Sequence, residues 1–543
     1  MDSPNGLWQH TSVTNRLRLF SFVLIALCSA AVFYGNLRFG RHVLAIGLED
    51  DFFYYAQAAR HLATDGFSSF DGIHRTNGYH PLWMLVLTGL TKLFDVGGSL
   101  HASTVLPFAI AVETTQIMLV LAIAFWTYRL CRLFCGVPAS VCVQLLIASW
   151  GLVLARTGME TGIAVLSAVC LLWFRLRRGF SWEGKACVFY GLLASVMVLA
   201  RLDLMLFVGL LVIVDLLPNA KGTGEGLARI MRFSLGLSPL AIYFATNEFY
   251  FHTAMPISGT AKQLRSHHFP SLNTMKSFAG FIFAKTSPLL GPAILLTFIA
   301  IGLLLTKNAR LHKNRGVLIC ALVFPFLHLL AVSSLSDWPI WQWYLYPWLI
   351  SAIVALAIIL ERDSRRRRLP TWVRAEASVG CCAAYLVLYG IALAASSSPQ
   401  NNLPYMAALE IEAFAQQHKG IYAMGDRAGT VGYVVRRPVI QLEGLMMDRE
   451  YLDNIRDRKD LLEVLQRYGV RYYISTRAKL GADGCWVVKE PFQAGPDSPT
   501  MTGRLCQRPV FQIKHGAFVN DIFDLSASVE AQRRIGRSKT LTP

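Results

Sequence analysis

Apolar residues recur along this chain in runs too long and too uniform for the half-polar faces of a soluble protein. They occupy roughly 19–36, 105–127, 138–155, 161–176, 186–200, 204–218, 233–250, 287–306, 316–334, 344–360 and 376–396. A helix needs about twenty such residues to cross a bilayer. The pattern therefore predicts an α-helical polytopic membrane protein with about eleven transmembrane helices. A further run, PLWMLVLTGLTKLF from Pro81 to Phe94, is short for a span; it is expected to lie on the outer leaflet as an interfacial helix anchored by Trp83. Beyond about Leu403 the period changes. A helix (MAALEIEAFAQQH), two short strands (GIYAMG, PVIQLEG), a helix (KDLLEVLQRYG) and a third strand (VRYYIST) predict a small α/β domain with some parallel pairing. The expected division is a multi-pass membrane domain, 1–396, whose first external loop is 37–104, and a C-terminal α/β domain, 397–543.

Charge sets the orientation. Lys and Arg collect between apolar runs, at Arg129 and Arg132, at Arg177, Arg178 and Lys185, at Lys307, Arg310, Lys313 and Arg315, and from Arg365 to Arg368. The 37–104 segment, by contrast, carries five basic residues against six acidic ones. Under the positive-inside rule the N-terminus is cytoplasmic, and eleven crossings put the C-terminal domain outside. A net charge of +18 distributed this way reads as topology rather than nucleic-acid binding. Arg16 and Arg18 precede the first run without a convincing cleavage site, so the first helix is expected to be retained. Of eleven cysteines, nine fall between Cys28 and Cys382 and read as small hydrophobes. Cys485 and Cys506 form a possible disulfide if their domain faces an oxidising compartment.

The densest chemistry follows the first helix, at Glu49, Asp50 and Asp51 in GLEDDFFYYAQAARHL. Adjacent carboxylates near a low-dielectric region repel one another, which raises a pKa toward that of a general base. The same group could ligate a divalent cation, Mg or Mn, through Asp50 and Asp51, or simply mark a helix leaving the membrane. Downstream, TNGYHPLW supplies Asn77, Tyr79 and His80 beside a turn set by Gly78 and Pro81. Asn77 and His80 read as hydrogen-bonding contacts for a bound ligand, or as a plain turn and helix start.

The run DDFFYYAQAARHLATDGFSSFDGIHRTNGYHPLW, from Asp50 to Trp83, resembles the first external loop of the GT-C superfamily of membrane glycosyltransferases. The resemblance covers about 35 residues. One departure is Phe52, where relatives carry a small residue after the acidic pair. The resemblance implies a polyprenyl-phosphate-linked sugar donor, an acidic residue of this loop as catalytic base, and in some members a metal ion. The implied base is Asp51 or Asp50. A later PISGTAKQLR resembles a P-x-S-G-x-x-K pattern of the same transferases and implies Lys262, assisted by Arg265, as a phosphate partner.

Other positions suit an outward-opening cavity. Arg156, Glu160, Arg201 and Asp203 stand at predicted outer helix ends, where charge is costly unless paired or wetted. Arg156 and Glu160 have the i,i+4 spacing of a structural ion pair, and Arg201 is a second candidate for the donor phosphate. The loop SDWPIWQWYLYPW, 336–348, holds four tryptophans and two tyrosines, an interface belt or a stacking surface for sugars. From it, with Tyr54 and Glu160, Trp343 and Tyr344 are expected sugar or acceptor contacts. No Walker loop, zinc-protease helix, nucleophile elbow or dinucleotide fingerprint occurs. The expected function is transfer of a sugar, with inversion, from a polyprenyl-phosphate donor to an extracytoplasmic glycan, lipid or protein, in a bacterial inner (cytoplasmic) membrane. The alternatives are a transporter or flippase of a lipid-linked glycan and a non-catalytic scaffold.

Overall fold

Length and apolarity together single out six helices able to cross a bilayer: Asn15–Gly40, Leu106–Cys131, Val137–Arg156, Arg315–Leu335, Gln342–Glu361 and Glu376–Ala395. The protein is a multi-pass membrane protein. These helices belong to a computed structural model that describes residues 4–46, 48–94, 102–178, 184–216, 224–265, 269–284, 287–306, 314–364, 371–398, 400, 402–516 and 518–526. The basic residues Lys307, Arg310, Lys313 and Arg365 to Arg368 lie outside the described residues.

Six helices meet both criteria among the described residues, so the expected count of about eleven is not reached on length and apolarity, and three of the expected runs show local reasons. The 233–250 run is cut between Gly224–Gly236 and Ser238–Phe251, where Pro239 starts a new helix. The 204–218 run passes from an α-helix, Met205–Leu211, into a π turn at Val212–Leu216. Leu290–Leu305 is apolar throughout, but its 16 residues rise only about 24 Å, short of a hydrocarbon core of about 30 Å.

The Pro81–Phe94 helix forms, although Trp83 is no interface anchor. Trp83 is fully buried and donates its indole N–H to the Gly158 carbonyl (2.9 Å). With Met84, Leu87, Thr88 and Thr91 it makes the inward face of an amphipathic helix, while Leu85 and Leu93 face out. The 336–348 loop is likewise no simple belt, since Trp338, Trp343, Tyr346 and Trp348 are buried and only Trp341 among its tryptophans is exposed.

The C-terminal part opens with the helix Leu403–Gln417 and contains β1 (Ile421–Met424), β2 (Val439–Gln441), β3 (Val470–Ser475), β4 (Lys479–Leu480), β5 (Trp486–Glu490), β6 (Met501–Leu505), β7 (Phe511–His515) and β8 (Phe518–Asp524). A five-stranded sheet runs β2-β1-β3-β8-β7, and a three-stranded sheet runs β4-β5-β6. β1 pairs parallel with β2 (Tyr422 opposite Val439) and with β3, whereas β8 is antiparallel to both β3 and β7. Cys485 and Cys506, flanking the β5–β6 pair, are disulfide-bonded.

One apolar core runs across the boundary between the first external loop and this sheet. It includes Phe52, Phe53, Tyr54, Phe70 and Trp83 together with Tyr422, Val431, Tyr433, Ile440 and Tyr473. The spanning helices add Phe108, Ala109, Val112 and Trp343 to this core and bury most of their other buried apolar residues in two further clusters.

Candidate active site

The helix Asp50–Thr64 carries Asp50 and Asp51 in its first turn, directly after Glu49 in extended conformation. Free N–H groups there favour negative charge. The two aspartates then meet different surroundings. Asp50 Oδ1 accepts from the Thr430 N–H (2.7 Å) and hydroxyl (2.6 Å), and Oδ2 accepts from the Gly429 N–H (3.1 Å). Glycine is required at 429 because a Cβ would collide with the Asp50 carbonyl oxygen. Asp51 has no hydrogen-bond partner among the described residues. Burial pushes its carboxyl group up; Lys262 opposes this, while Asp50, Glu49 and Glu160 add to it, and the result is a pKa of about 7.

Lys262 ends the short helix Ile257–Lys262. Its ammonium donates to the Tyr344 hydroxyl (3.0 Å) and lies over the rings of Tyr344 and Trp338 (5.5 and 5.9 Å). Burial works against the charge, but Tyr344 and Asp51 outweigh it and raise the pKa. Asn77 holds this helix in place, because its Oδ1 accepts the Ile257 N–H (3.0 Å).

A buried charge network adjoins them. Arg201 donates to Glu160 Oε1 (2.6 Å) and to Asp203 (3.1 Å), and stacks over Tyr344 and Tyr346. Asp203 also meets His328 Nε2 (2.8 Å) and the Tyr346 hydroxyl (2.9 Å). His80 Nδ1 accepts the Leu202 N–H (3.2 Å), which leaves the ring proton on Nε2, 3.6 Å from Glu160. The expected Arg156–Glu160 pair does not form. The helix Val137–Arg156 ends at Arg156, and Gly158 in the left-handed region turns the chain (φ 75°) before Glu160. Arg156 instead donates to Leu393 O, Ser396 Oγ and Ser397 Oγ.

Two cavities open onto this cluster. One, of about 410 Å³, lies between the first loop and the C-terminal sheet and is largely polar, with Asp50, Asp426, Glu443 and Trp341 in its wall. The other, of about 660 Å³, extends among the helices and is mostly aliphatic, lined by residues such as Met205, Leu206, Ile213 and Val332. Asp51, Tyr54, Lys262, Trp338, Trp343 and Leu445 line both. His80, Glu160, Arg201 and Tyr344 line the aliphatic cavity alone.

Two expected contacts are elsewhere. Asn77 lines neither cavity, and its Oδ1 accepts the Ile257 N–H. Arg265 is spent on Phe269 O, Ser333 O and Asp497, which clamps its loop to the C-terminal part and leaves it lining neither cavity. Asp426 and Glu443 were not foreseen. Both sit just past strands that the sequence does reveal, GIYAMG and PVIQLEG, where parallel sheets present ligand-binding groups.

A divalent cation shared by Asp50 and Asp51 does not fit this arrangement. Three donors already occupy the Asp50 oxygens, and among the described residues no group of three or more His, Cys, Asp or Glu is arranged to hold a metal ion.

No family model matches this sequence, and no curated protein does. In fold the chain is similar to the crystal structure of ArnT from Cupriavidus metallidurans bound to undecaprenyl phosphate. The likeness covers 88% of this chain and 97% of that one, with a TM-score of 0.55 and 13% sequence identity, and so is a likeness of fold.

Proposed function

We propose that this chain is a membrane glycosyltransferase that moves a sugar from a polyprenyl-phosphate donor to an acceptor on the extracytoplasmic face of a bacterial inner membrane. The observation that carries the reading is the meeting of an aliphatic and a polar cavity at Asp51, whose carboxylate has no hydrogen-bond partner among the described residues. An isoprenoid chain suits the first cavity and a hydroxyl-bearing acceptor the second. The first-loop resemblance to GT-C transferases and the fold likeness to a structure holding undecaprenyl phosphate support the same reading.

In this mechanism Asp51 takes the proton of the acceptor hydroxyl. The oxygen attacks the anomeric carbon from the face opposite the phosphate, the bond from that carbon to the phosphate oxygen breaks, and the configuration inverts. Lys262 stabilises the charge that develops on the departing phosphate. Glu160, Asp203 and His328 hold Arg201 and the wall around it in one arrangement.

The test is release of polyprenyl phosphate from labelled polyprenyl-phosphate sugars by purified wild type, Asp50→Asn and Asp51→Asn, with membrane extract as acceptor. Asp51→Asn is expected to lose about a hundredfold or more in rate, as removal of a general base does. Asp50→Asn retains Asp51 and is expected to lose far less while melting lower, because it weakens the contact with Thr430. Wild-type rates in Asp51→Asn would sink the assignment.

A further inference from the structure

Resting on the transferase reading, we propose that the acceptor is an uncharged carbohydrate whose sugar ring stacks on Trp341 and whose hydroxyl groups are read by Glu443 of the C-terminal domain. The two cavities differ in what their apolar walls are made of. The donor cavity is lined by aliphatic side chains from Met205 to Ile213 and from Ala331 to Leu335. The polar cavity carries one indole ring that the donor cavity does not, that of Trp341, beside Trp338 and Trp343, which line both. Trp341 and Trp343 are stacked (centroids 6.0 Å, 16° between planes), and Trp341 is 41% exposed in a molecule whose other tryptophans of this loop are buried. A flat ring open to a polar cavity suits a sugar face, and the few aliphatic residues of this cavity, Ile46, Leu48, Pro404 and Leu445, make a smaller apolar wall than an isoprenoid or acyl chain meets in the donor cavity.

Charge narrows the ligand further. Apart from Glu443, the carboxyl groups of Glu49, Asp50, Asp51 and Asp426 line the cavity. Its cations are engaged: Arg156 through Nη1 and Nη2 with Leu393, Ser396 and Ser397, Arg427 with Asp426 and the Phe518 ring, and Lys262, at the junction, with Tyr344 and, in the mechanism above, with the donor phosphate. A phosphorylated or carboxylated acceptor would therefore meet repulsion.

Glu443 supplies the second, independent observation. Its side chain is 4% exposed, and its Oε1 has no hydrogen-bond partner among the described residues. Burial, with Asp426, Glu490 and Asp51 nearby, holds its carboxyl group well above the ordinary range. Its unpartnered oxygen is therefore left for a hydroxyl group of the kind a sugar carries. Topology puts it there for a reason. Strand order β2-β1-β3 reverses the crossover direction at β1, and Asp426 and Glu443 follow the C-terminal ends of β1 and β2, the crevice at which parallel sheets bind ligands.

The full-length chain in detergent, supplied with a donor it turns over, is offered three acceptor sets: neutral soluble oligosaccharides, the same oligosaccharides phosphorylated, and lipid-linked glycans. Label is expected in the neutral set. Trp341→Ala, at an exposed position, and the isosteric Glu443→Gln are each expected to raise the acceptor KM about tenfold, the scale of one lost contact, with the donor KM unchanged. Label only in phosphorylated or lipid-linked products, or unchanged acceptor KM in both variants, overturns the proposal and leaves the transferase reading standing. Binding of polyprenyl phosphate, followed separately by thermal shift, reports on that reading: a chain that binds none of it loses both.

Discussion

Asp50 and Asp51 are chemically identical neighbours in one helical turn, so whatever separates them comes from elsewhere in the chain. Three donors from Gly429 and Thr430 make Asp50 a joint, and their absence at Asp51 is what the proposed role as base rests on. The pH consequence has a definite sign. The folded-state pKa of Asp51, about 7, lies above its ordinary 3.8, so the folded chain binds the extra proton between those values and loses stability as pH rises through that window. Activity runs the other way, because a base must be ionised: kcat/KM for transfer is expected to climb with pH and level off above about 7. Asp51→Asn removes the cost of burying the charge. It is therefore expected to melt higher than wild type near pH 8, with the gap closing towards about pH 4. A melting series over that range checks it, and a variant that melts lower than wild type at the alkaline end would contradict the raised pKa.

Short elements give neighbouring residues different fates as well. Lys262 ends the helix Ile257–Lys262 facing both cavities, while Arg265, one turn on, is buried against carbonyl groups and Asp497. Lys262→Ala is expected to leave the melting temperature near wild type and to raise the donor KM tenfold or more, the equivalent of a lost charge-assisted hydrogen bond of about 1.5–3 kcal/mol. Arg265→Ala is expected to do the reverse. It strands buried acceptors at a cost of about 1–3 kcal/mol and lowers the melting temperature without changing the donor KM. Parallel melting curves and donor titrations separate the two. Local pattern carried the reading of the sequence a long way at this scale: the apolar helices, the strands β1 to β3 and the Pro81–Phe94 helix all follow from periodicity. It failed where a single residue redirected the chain or a side chain found a distant partner. Gly158 broke the Arg156–Glu160 spacing, Pro239 cut an apolar run, and Trp83 turned inward to the Gly158 carbonyl. The later strands β4 to β8 were not foreseen, although β6 alternates in burial and β8 is rich in Phe, Val and Ile.

At the scale of the whole molecule, the first external loop folds with the sheet that the chain reaches hundreds of residues later. Asp50 meets Thr430 across 380 positions, Phe53 packs on Tyr433 at 5.4 Å, and Arg60 lies over the Tyr433 ring at 4.7 Å. Two more clamps join the halves: Arg265 to Asp497, and Asp337, which accepts the Asp497 N–H (2.9 Å) and the Ser498 hydroxyl. No local motif encodes such contacts, which is why the choice between the two aspartates was illegible in sequence although the loop that holds them was not. A shared core has a measurable consequence, because residues that bury one another open together. In hydrogen exchange on the full chain in detergent, the amides of the Asp50–Thr64 helix and of β1 and β3 are expected to share one opening free energy. Thr430→Val removes the hydroxyl donated to the Asp50 carboxylate, worth about 1.5–3 kcal/mol, and should cut protection in both regions by roughly ten- to a hundredfold. If the helix alone loses protection while β1 and β3 keep theirs, the loop and the sheet are two units hinged at Asp50, and the position of Asp51 between the cavities is set by the hinge rather than by a common core.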